Sequence, residues 1–419
     1  MNVAGEAIPL LVSLVAAPLV IAGLGVERFG ILSLTWVIIF GYFSLFDFGL
    51  GRATTRYVAR ELERSEEHTV AKLVWTSLLL QGGLGICGGF LLAGLTPWMT
   101  TRLLHVRPEF IHQTQHCLFW LSLGVPFVIC SAGLRGLLEA KLRFDLVNTV
   151  KVPTNCALSL APVFGIHLGF DLSRIVALQV IITMASTVVL LVLVLGLLPY
   201  LKTIMQFDRR VLGQLAGYMG WMTVLMLTAS LVTSLERFLI GMRLSMSDVG
   251  YYTPPATIIT RLMIIPSGIV MVLFPRFSAM TVGDYQQIQR LFHRAFLLLL
   301  WGVGPLAILL MVFAKNVLEF WLGVEFASHS SAVLRILALG FFLNALGWVP
   351  SIMLQGFGRP DVVAKLFLCE LPLYAALGWW LIGVWGIEGA AIAWTLRAGC
   401  EAVLQLWLVR KMGVLPVAA

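Results

Sequence analysis

Long apolar runs of roughly twenty residues dominate this chain, and that is the length an α-helix needs to cross a hydrocarbon core of roughly 30 Å. About twelve occur, near 4–25, 30–50, 70–95, 114–137, 146–168, 174–199, 212–234, 250–274, 292–314, 332–355, 361–385 and 388–410. In lipid every backbone N–H and C=O must be satisfied within the protein, which leaves only helices or a closed barrel. Barrel strands alternate apolar and polar residues, and stretches such as VVLLVLVLGLL do not. The expected fold class is therefore an all-α polytopic membrane protein of about 12 transmembrane helices. Composition agrees: 59% hydrophobic and 12% charged residues and a mean hydropathy of +0.93 lie far from the usage of soluble domains. The first run lacks a basic leader, carries Glu6 and continues apolar past any small-residue cleavage site, so it reads as a retained helix.

Basic residues orient the chain, because loops rich in Lys and Arg stay in the cytoplasm. In the connections and at the ends of the runs, 19 Lys and Arg lie on the side reached after even-numbered runs or at the C-terminus and 7 on the side reached after odd-numbered runs, which puts both termini inside. The net charge of +8 is thereby explained without nucleic acid, since the basic excess is confined to one side. Six cysteines lie in or beside apolar runs, with no CxxC pair, and read as buried free thiols.

Two similar joints, GVERFGIL (25–32) and SMSDVGYY (245–252), lie about half a chain apart. Aligning Gly30 with Gly250 sets a spacing of 220, and further landmarks recur at nearly that distance. Asp145 in KLRFDLV matches Asp361 in GFGRPDVV, and 361 minus 145 is 216; Ala177 and Ala393 are also 216 apart. The chain thus reads as two lobes of six helices, residues 1–199 and 212–419, joined by a cytoplasmic linker at 200–211. An even number of helices per lobe gives both the same orientation, as in parallel repeats with a substrate path between them, which favours a transporter.

Taken together, GLGVERFGILSL, LFDFGLGRATTRYVAREL, ERFLIGMRLSMSDVGYYTPPATIITRLMIIPSGIVMVLFPRFS and WGIEGAAIAW resemble the polysaccharide biosynthesis (Wzx-type) flippases of the multidrug/oligosaccharidyl-lipid/polysaccharide exporter superfamily. The resemblance implies a V-shaped pair of lobes in the bacterial inner membrane that moves an undecaprenyl-pyrophosphate-linked oligosaccharide from the cytoplasmic to the periplasmic leaflet by alternating access. It implies no enzymatic activity and no cofactor, with proton or sodium coupling open. Its partners would be the lipid-linked oligosaccharide, membrane lipids, and the glycosyltransferases and polymerase of the same pathway. Some relatives, the lipid II flippases among them, carry two more C-terminal helices, and this chain ends after its twelfth run.

Charges at membrane depth are costly and are therefore paired or functional. Arg261 lies mid-run between Pro254, Pro255 and Pro266, whose rings and missing N–H groups loosen a helix. A guanidinium there suits a pyrophosphate, because its planar fork makes two charge-assisted bonds to phosphate oxygens. The alternative is that Arg261 pairs with Glu236 or a backbone carbonyl and braces run 7 against run 8. Arg52, the first of four arginines spaced by four residues after run 2, lies at the expected cavity mouth, although anchoring on anionic headgroups also accounts for that stripe. Arg28 on the periplasmic side is a further contact for the pyrophosphate, or a snorkelling charge. Glu370, Arg397 and Glu401 lie well inside runs 11 and 12. Arg397 and Glu401 are i,i+4 neighbours that can neutralise each other; otherwise the acids, with Asp47 and Glu236, are candidates for ion coupling.

Glu109, His112 and His116 share a helix face, but interfacial histidines are common and no metal site is assigned. No GxxxxGK[ST], GxSxG or HExxH motif occurs. A cation-coupled multidrug exporter of the same fold would instead need an acidic, aromatic pocket. A membrane-embedded sugar polymerase or ligase would be expected to carry a long periplasmic loop, and no loop between the runs exceeds about 20 residues.

Overall fold

The computed structural model describes residues 2–37, 58, 67–104, 106–208, 234–269, 273, 285–356 and 359–411, and these are overwhelmingly helical. α1 (Asn2–Leu24) passes to α2 (Val26–Val37) through Gly25, whose φ of 77° lies in the left-handed region that glycine enters without strain. α3 (Glu67–Trp98) ends in a π turn, Met99–Leu103, and is followed by α4 (Pro108–Ala140), α5 (Phe144–His167) and α6 (Leu172–Leu197). Asp171 caps α6 by accepting from the Arg174 amide at 3.1 Å.

Residues 234–243 form α7, so Glu236, Arg237 and Arg243, expected in the loop after 234, lie in a helix. Then come α8 (Met246–Leu262), α9 (Tyr285–Leu322) and α10 (Val324–Gly356). Ser245 and Asp248 close a capping box at the start of α8. The last helical stretch, Pro360–Lys411, is broken at Trp385 and Gly386 into α11 (360–384) and α12 (387–411).

The chain divides into two compact units, Met1–Ser234 and Leu235–Ala419. In the first, α4 packs between α3 and α6, and α5 packs between α6 and α1. Gly85 and Gly89, a G-x-x-x-G pair on α3, let the backbones meet: a Cβ at either would stand 2.5 Å from Pro126 Cα or the Ser122 carbonyl of α4. Beyond α6, residues 199–208 fold back on α3, with Trp75 Nε1 donating to the Leu201 carbonyl at 2.9 Å and the Asp208 amide to Thr76 Oγ1 at 3.0 Å. In the second unit α10 packs against α8, α9 and the α11–α12 stretch.

The repeat read from the landmarks is present in the element boundaries. Val324 and Pro108, Gly356 and Ala140, and Pro360 and Phe144 bound corresponding helices, and 324 minus 108, 356 minus 140 and 360 minus 144 are each 216. Gly30 and Gly250 are both the fifth residue of their helices, α2 and α8, and both are buried. Asp145 and Asp361 make the same local bridge to the arginine two residues before. Arg143 reaches Asp145 at 2.8–3.2 Å, and Arg359 reaches Asp361 at 3.1–3.4 Å. The Arg143 bond holds the Asp145 carboxyl down at about 2.

Large apolar side chains cover the outside of these bundles: Phe90 is 77% exposed and Trp301 73%. Water does not tolerate so continuous an apolar surface, whereas acyl chains do. Among the described residues six helices are long and apolar enough to cross a membrane, and the protein is a multi-pass membrane protein. All six cysteines are free; Cys117 is buried, while Cys87, Cys369 and Cys400 are exposed at the surface rather than in the core.

Candidate functional site

Helical spacing gathers the buried charges of the second unit. Arg397, Glu401 and Gln405 follow one another at four-residue steps and share one face of α12, while Glu370 and Tyr374 stand one turn apart on α11. Glu236 joins them from α7. All six are buried, with Gln405 at 0% exposure and Glu370 the most exposed at 9%.

Arg397 Nη1 donates to Glu401 Oε2 at 2.7 Å, and Gln405 Nε2 donates to Glu401 Oε1 at 3.0 Å. The i,i+4 pair legible in the sequence is thus formed, and its carboxylate is held by two donors. The same Nη1 is 3.8 Å from Glu370 Oε2, within ionic reach but beyond a hydrogen bond. The guanidinium also lies over the Tyr374 ring, 5.6 Å from its centroid. Tyr374 in turn donates its hydroxyl to Glu236. The sequence shows no signal for Tyr374, because its bond to Glu236 depends on α11 packing beside α7, whereas Gln405, four residues from Glu401 on one helix, was available from the spacing and was missed.

Glu236 therefore takes its bond from Tyr374, and the brace between Glu236 and Arg261 considered from sequence is replaced. Arg261 is exposed on α8, with no hydrogen bond or ion pair among the described residues. The helix breaks just after it: Met263 is a turn, and helical structure resumes at 264. Pro266 supplies the reason, since its nitrogen has no hydrogen for the Leu262 carbonyl and its ring crowds that oxygen. Farther back, Pro255 leaves the Tyr251 carbonyl without its helical donor, and Ser330 Oγ of α10 takes that place at 2.8 Å.

Arg28 is exposed at the start of α2 and lies over the Phe110 ring of α4, 5.4 Å from its centroid. Beside it, Arg107 bridges to Glu27 at 3.1 Å and comes within 3.7 Å of Glu109. His112 and His116 meet ring edge to face at 5.0 Å. Among the described residues no three His, Cys, Asp or Glu converge as a metal cage. Asp47 and Arg52 lie outside the described residues. An open hollow of about 480 Å³ between α3 and α4, lined by Thr96, Gln115, His116 and Trp120 among others, includes none of the candidate residues.

In the first unit the described residues at the corresponding depth are neutral. Gln179 accepts from Trp36 Nε1 at 3.4 Å and donates to the Leu158 carbonyl at 3.0 Å. Gln81, wholly buried against Gly133, keeps both amide atoms without a hydrogen bond. Among the described residues the buried charge belongs to one half of a repeated architecture.

The chain is 28% identical over 412 residues to the "Putative O-antigen transporter" of Shigella flexneri, covering 98% of this chain and 96% of that one. An inward-facing multidrug resistance MATE family transporter of the MOP superfamily shares the fold with a TM-score of 0.78 at 17% identity, over 98% of both chains. The lipid II flippase MurJ in an inward closed conformation does so with a TM-score of 0.77 at 13% identity, over 99% of this chain and 88% of that one. A family model described as "Polysaccharide biosynthesis protein" matches residues 24–331. With a match running from the Gly25 joint into α10, this chain belongs to the polysaccharide biosynthesis protein family.

Proposed function

We propose that this protein flips a polyprenyl-pyrophosphate-linked oligosaccharide, the repeat unit of a surface polysaccharide, from the cytoplasmic to the periplasmic leaflet of a bacterial inner membrane. Both termini are cytoplasmic, and access alternates between the two sides. The observation that carries this reading is Arg261: an exposed guanidinium on α8, beside a proline-made break, with no hydrogen bond or ion pair among the described residues. A cationic side chain at membrane depth without a partner is costly, and a pyrophosphate satisfies it with two parallel bonds. The relative named an O-antigen transporter supports the same cargo class.

In this reading Arg52 meets the headgroup at the cytoplasmic mouth, and Arg28 meets it at the periplasmic end. The acids Glu370, Glu401 and Glu236, with Arg397 and Asp47, couple the cycle to a gradient of protons or sodium ions. Pathway glycosyltransferases supply the cargo and a polymerase consumes it. The chain carries out no bond-making step of its own. A multidrug exporter for cationic compounds is disfavoured by the sign of the Arg261 charge, which repels such cargo.

The test is replacement of the chromosomal gene by Arg261→Ala and Arg261→Lys variants, with membrane insertion verified by immunoblot. The expected result is loss of surface polysaccharide with Ala and partial retention with Lys. Normal polysaccharide in cells carrying only the Ala variant would falsify the reading.

A further inference from the structure

Glu370 is buried without the bonds that make burial tolerable. Only 9% of the residue is exposed, yet neither carboxyl oxygen has a hydrogen-bond partner. Its closest cation, Arg397 Nη1, stands 3.8 Å away and is engaged with Glu401 at 2.7 Å. Arg397 Nε and Gln405 Oε1 are also buried and unpaired. If both carboxyls are ionised, one guanidinium faces two negative charges and one of them is uncompensated, a state that membrane interiors strongly disfavour.

The fold itself does not call for these charges. Positions 216 residues earlier in the repeat are Thr154 for Glu370, Ile181 for Arg397 and Ala185 for Glu401. The first unit packs helices with matching bounds while carrying no charge at those three places.

Resting on the reading of the chain as a gradient-driven flippase, we propose that Glu370 is the residue that carries the coupling proton, and that Arg397 is a resident counter-cation that moves in response. With a proton on Glu370 the carboxyl is neutral, and Arg397 and Glu401 remain as a neutral pair in the arrangement seen here. When the proton leaves, the Glu370 carboxylate draws the guanidinium across the 3.8 Å gap and ties α11 to α12. Protonation at this one atom is thereby converted into a change in how two helices are joined. A sodium ion is disfavoured, because the position between the carboxylates is held by the guanidinium and a second cation would meet its charge at close range.

The neighbouring groups leave this division of labour intact. From α7, Glu236 has the Tyr374 hydroxyl as its own donor and feels Arg237 and Arg397 as positive charges. Arg243 lies 4.8 Å from the Trp379 ring centroid. From α8, Tyr252 is buried close enough to Glu236 and Tyr374 to act on both electrostatically. α10, packed along the pair, carries Arg335, which is exposed.

The experiment uses the full chain in lipid nanodiscs and infrared difference spectra taken across a pH titration. Wild type is expected to show the carbonyl stretch of a protonated carboxylic acid that titrates and is unchanged when choline replaces sodium. Glu370→Gln should remove this band, and Glu370→Asp should shift its midpoint. Persistence of the band in Glu370→Gln with an unshifted midpoint in Glu370→Asp, or its suppression by sodium in wild type, overturns the proposal. The sodium comparison needs no variant and so survives misfolding of either one. In vesicles loaded with a fluorescent polyprenyl-pyrophosphate-linked sugar, a pH gradient should drive wild type but not Glu370→Gln, and a sodium gradient should drive neither. Absence of any flipping by wild type would remove the flippase reading, whereas sodium-driven flipping would remove only the proton assignment.

Discussion

The Ser330 hydroxyl donates to the carbonyl oxygen of Tyr251 at 2.8 Å, filling the bond that Pro255 withholds within α8. A helix can carry adjacent prolines in its interior only if the freed carbonyls find other donors. Ser330→Ala should therefore destabilise the second unit by about 1–3 kcal/mol, the cost of an unsatisfied buried acceptor. In Pro255→Ala the restored N–H can serve Tyr251, so the added cost of Ser330→Ala should fall close to zero. Equilibrium unfolding of the four proteins in mixed micelles gives the coupling. Equal cost of Ser330→Ala in both backgrounds contradicts this account.

Arg397 and Glu401 form a buried pair whose rupture leaves a charge in an apolar interior. Arg397→Met should cost about 3–5 kcal/mol, because it strands Glu401 beside Glu370. Removing both charges, in Arg397→Met with Glu401→Met, should cost less than the single change, since apolar side chains of similar volume pack in place of the pair. Thermal melts of the purified variants check the order. A double variant less stable than the single one would show that the pair contributes net stability.

For Arg261 the expected effect is on ligand binding rather than on folding, because the side chain is exposed and makes no bond among the described residues. Bonds from a guanidinium to a charged group contribute about 1.5–3 kcal/mol, so Arg261→Ala should weaken binding of polyprenyl pyrophosphate by roughly 10- to 100-fold. Titration of the lipid into nanodiscs measures this. A loss of melting temperature with unchanged affinity would instead assign Arg261 a structural role.

Asp145 gives a pH dependence with a definite sign. Its carboxyl is held at about 2 by the Arg143 bond, against 3.8 ordinarily. A carboxyl depressed in the folded state contributes stability that is fully present above its unfolded value and fades as pH falls toward the folded one. Wild type should therefore exceed Asp145→Asn in stability above about pH 4, and the difference should vanish as pH approaches about 2. Unfolding midpoints across that range decide it, and a gap that widens in acid refutes the assignment.

Much of the site was legible because helical periodicity alone puts Arg397 four residues from Glu401 on one face. Prolines flanking Arg261 signalled a weak helix, and the break falls at Met263 because Pro266 cannot serve the Leu262 carbonyl. Tyr374 was not legible as the donor to Glu236: the two residues lie 138 positions apart, and only packing brings them together. The end of α7 was misjudged at 234 because charged residues read as loop, while in the fold Arg243 lies over Trp379 and against Gly383, where a Cβ would stand 2.0 Å from its Nη2.

By itself the sequence determined that this protein spans a membrane with helices and that its architecture repeats, since both follow from run length and from landmark spacing along one chain. Tertiary structure alone decided which charges meet. Whether Glu236 bonds to Arg261 or to Tyr374, and whether Glu370 is satisfied or bare, depends on the rotation of each helix about its axis. That rotation is set by contacts between helices far apart in sequence, such as those α10 makes with α8 and with the α11–α12 stretch.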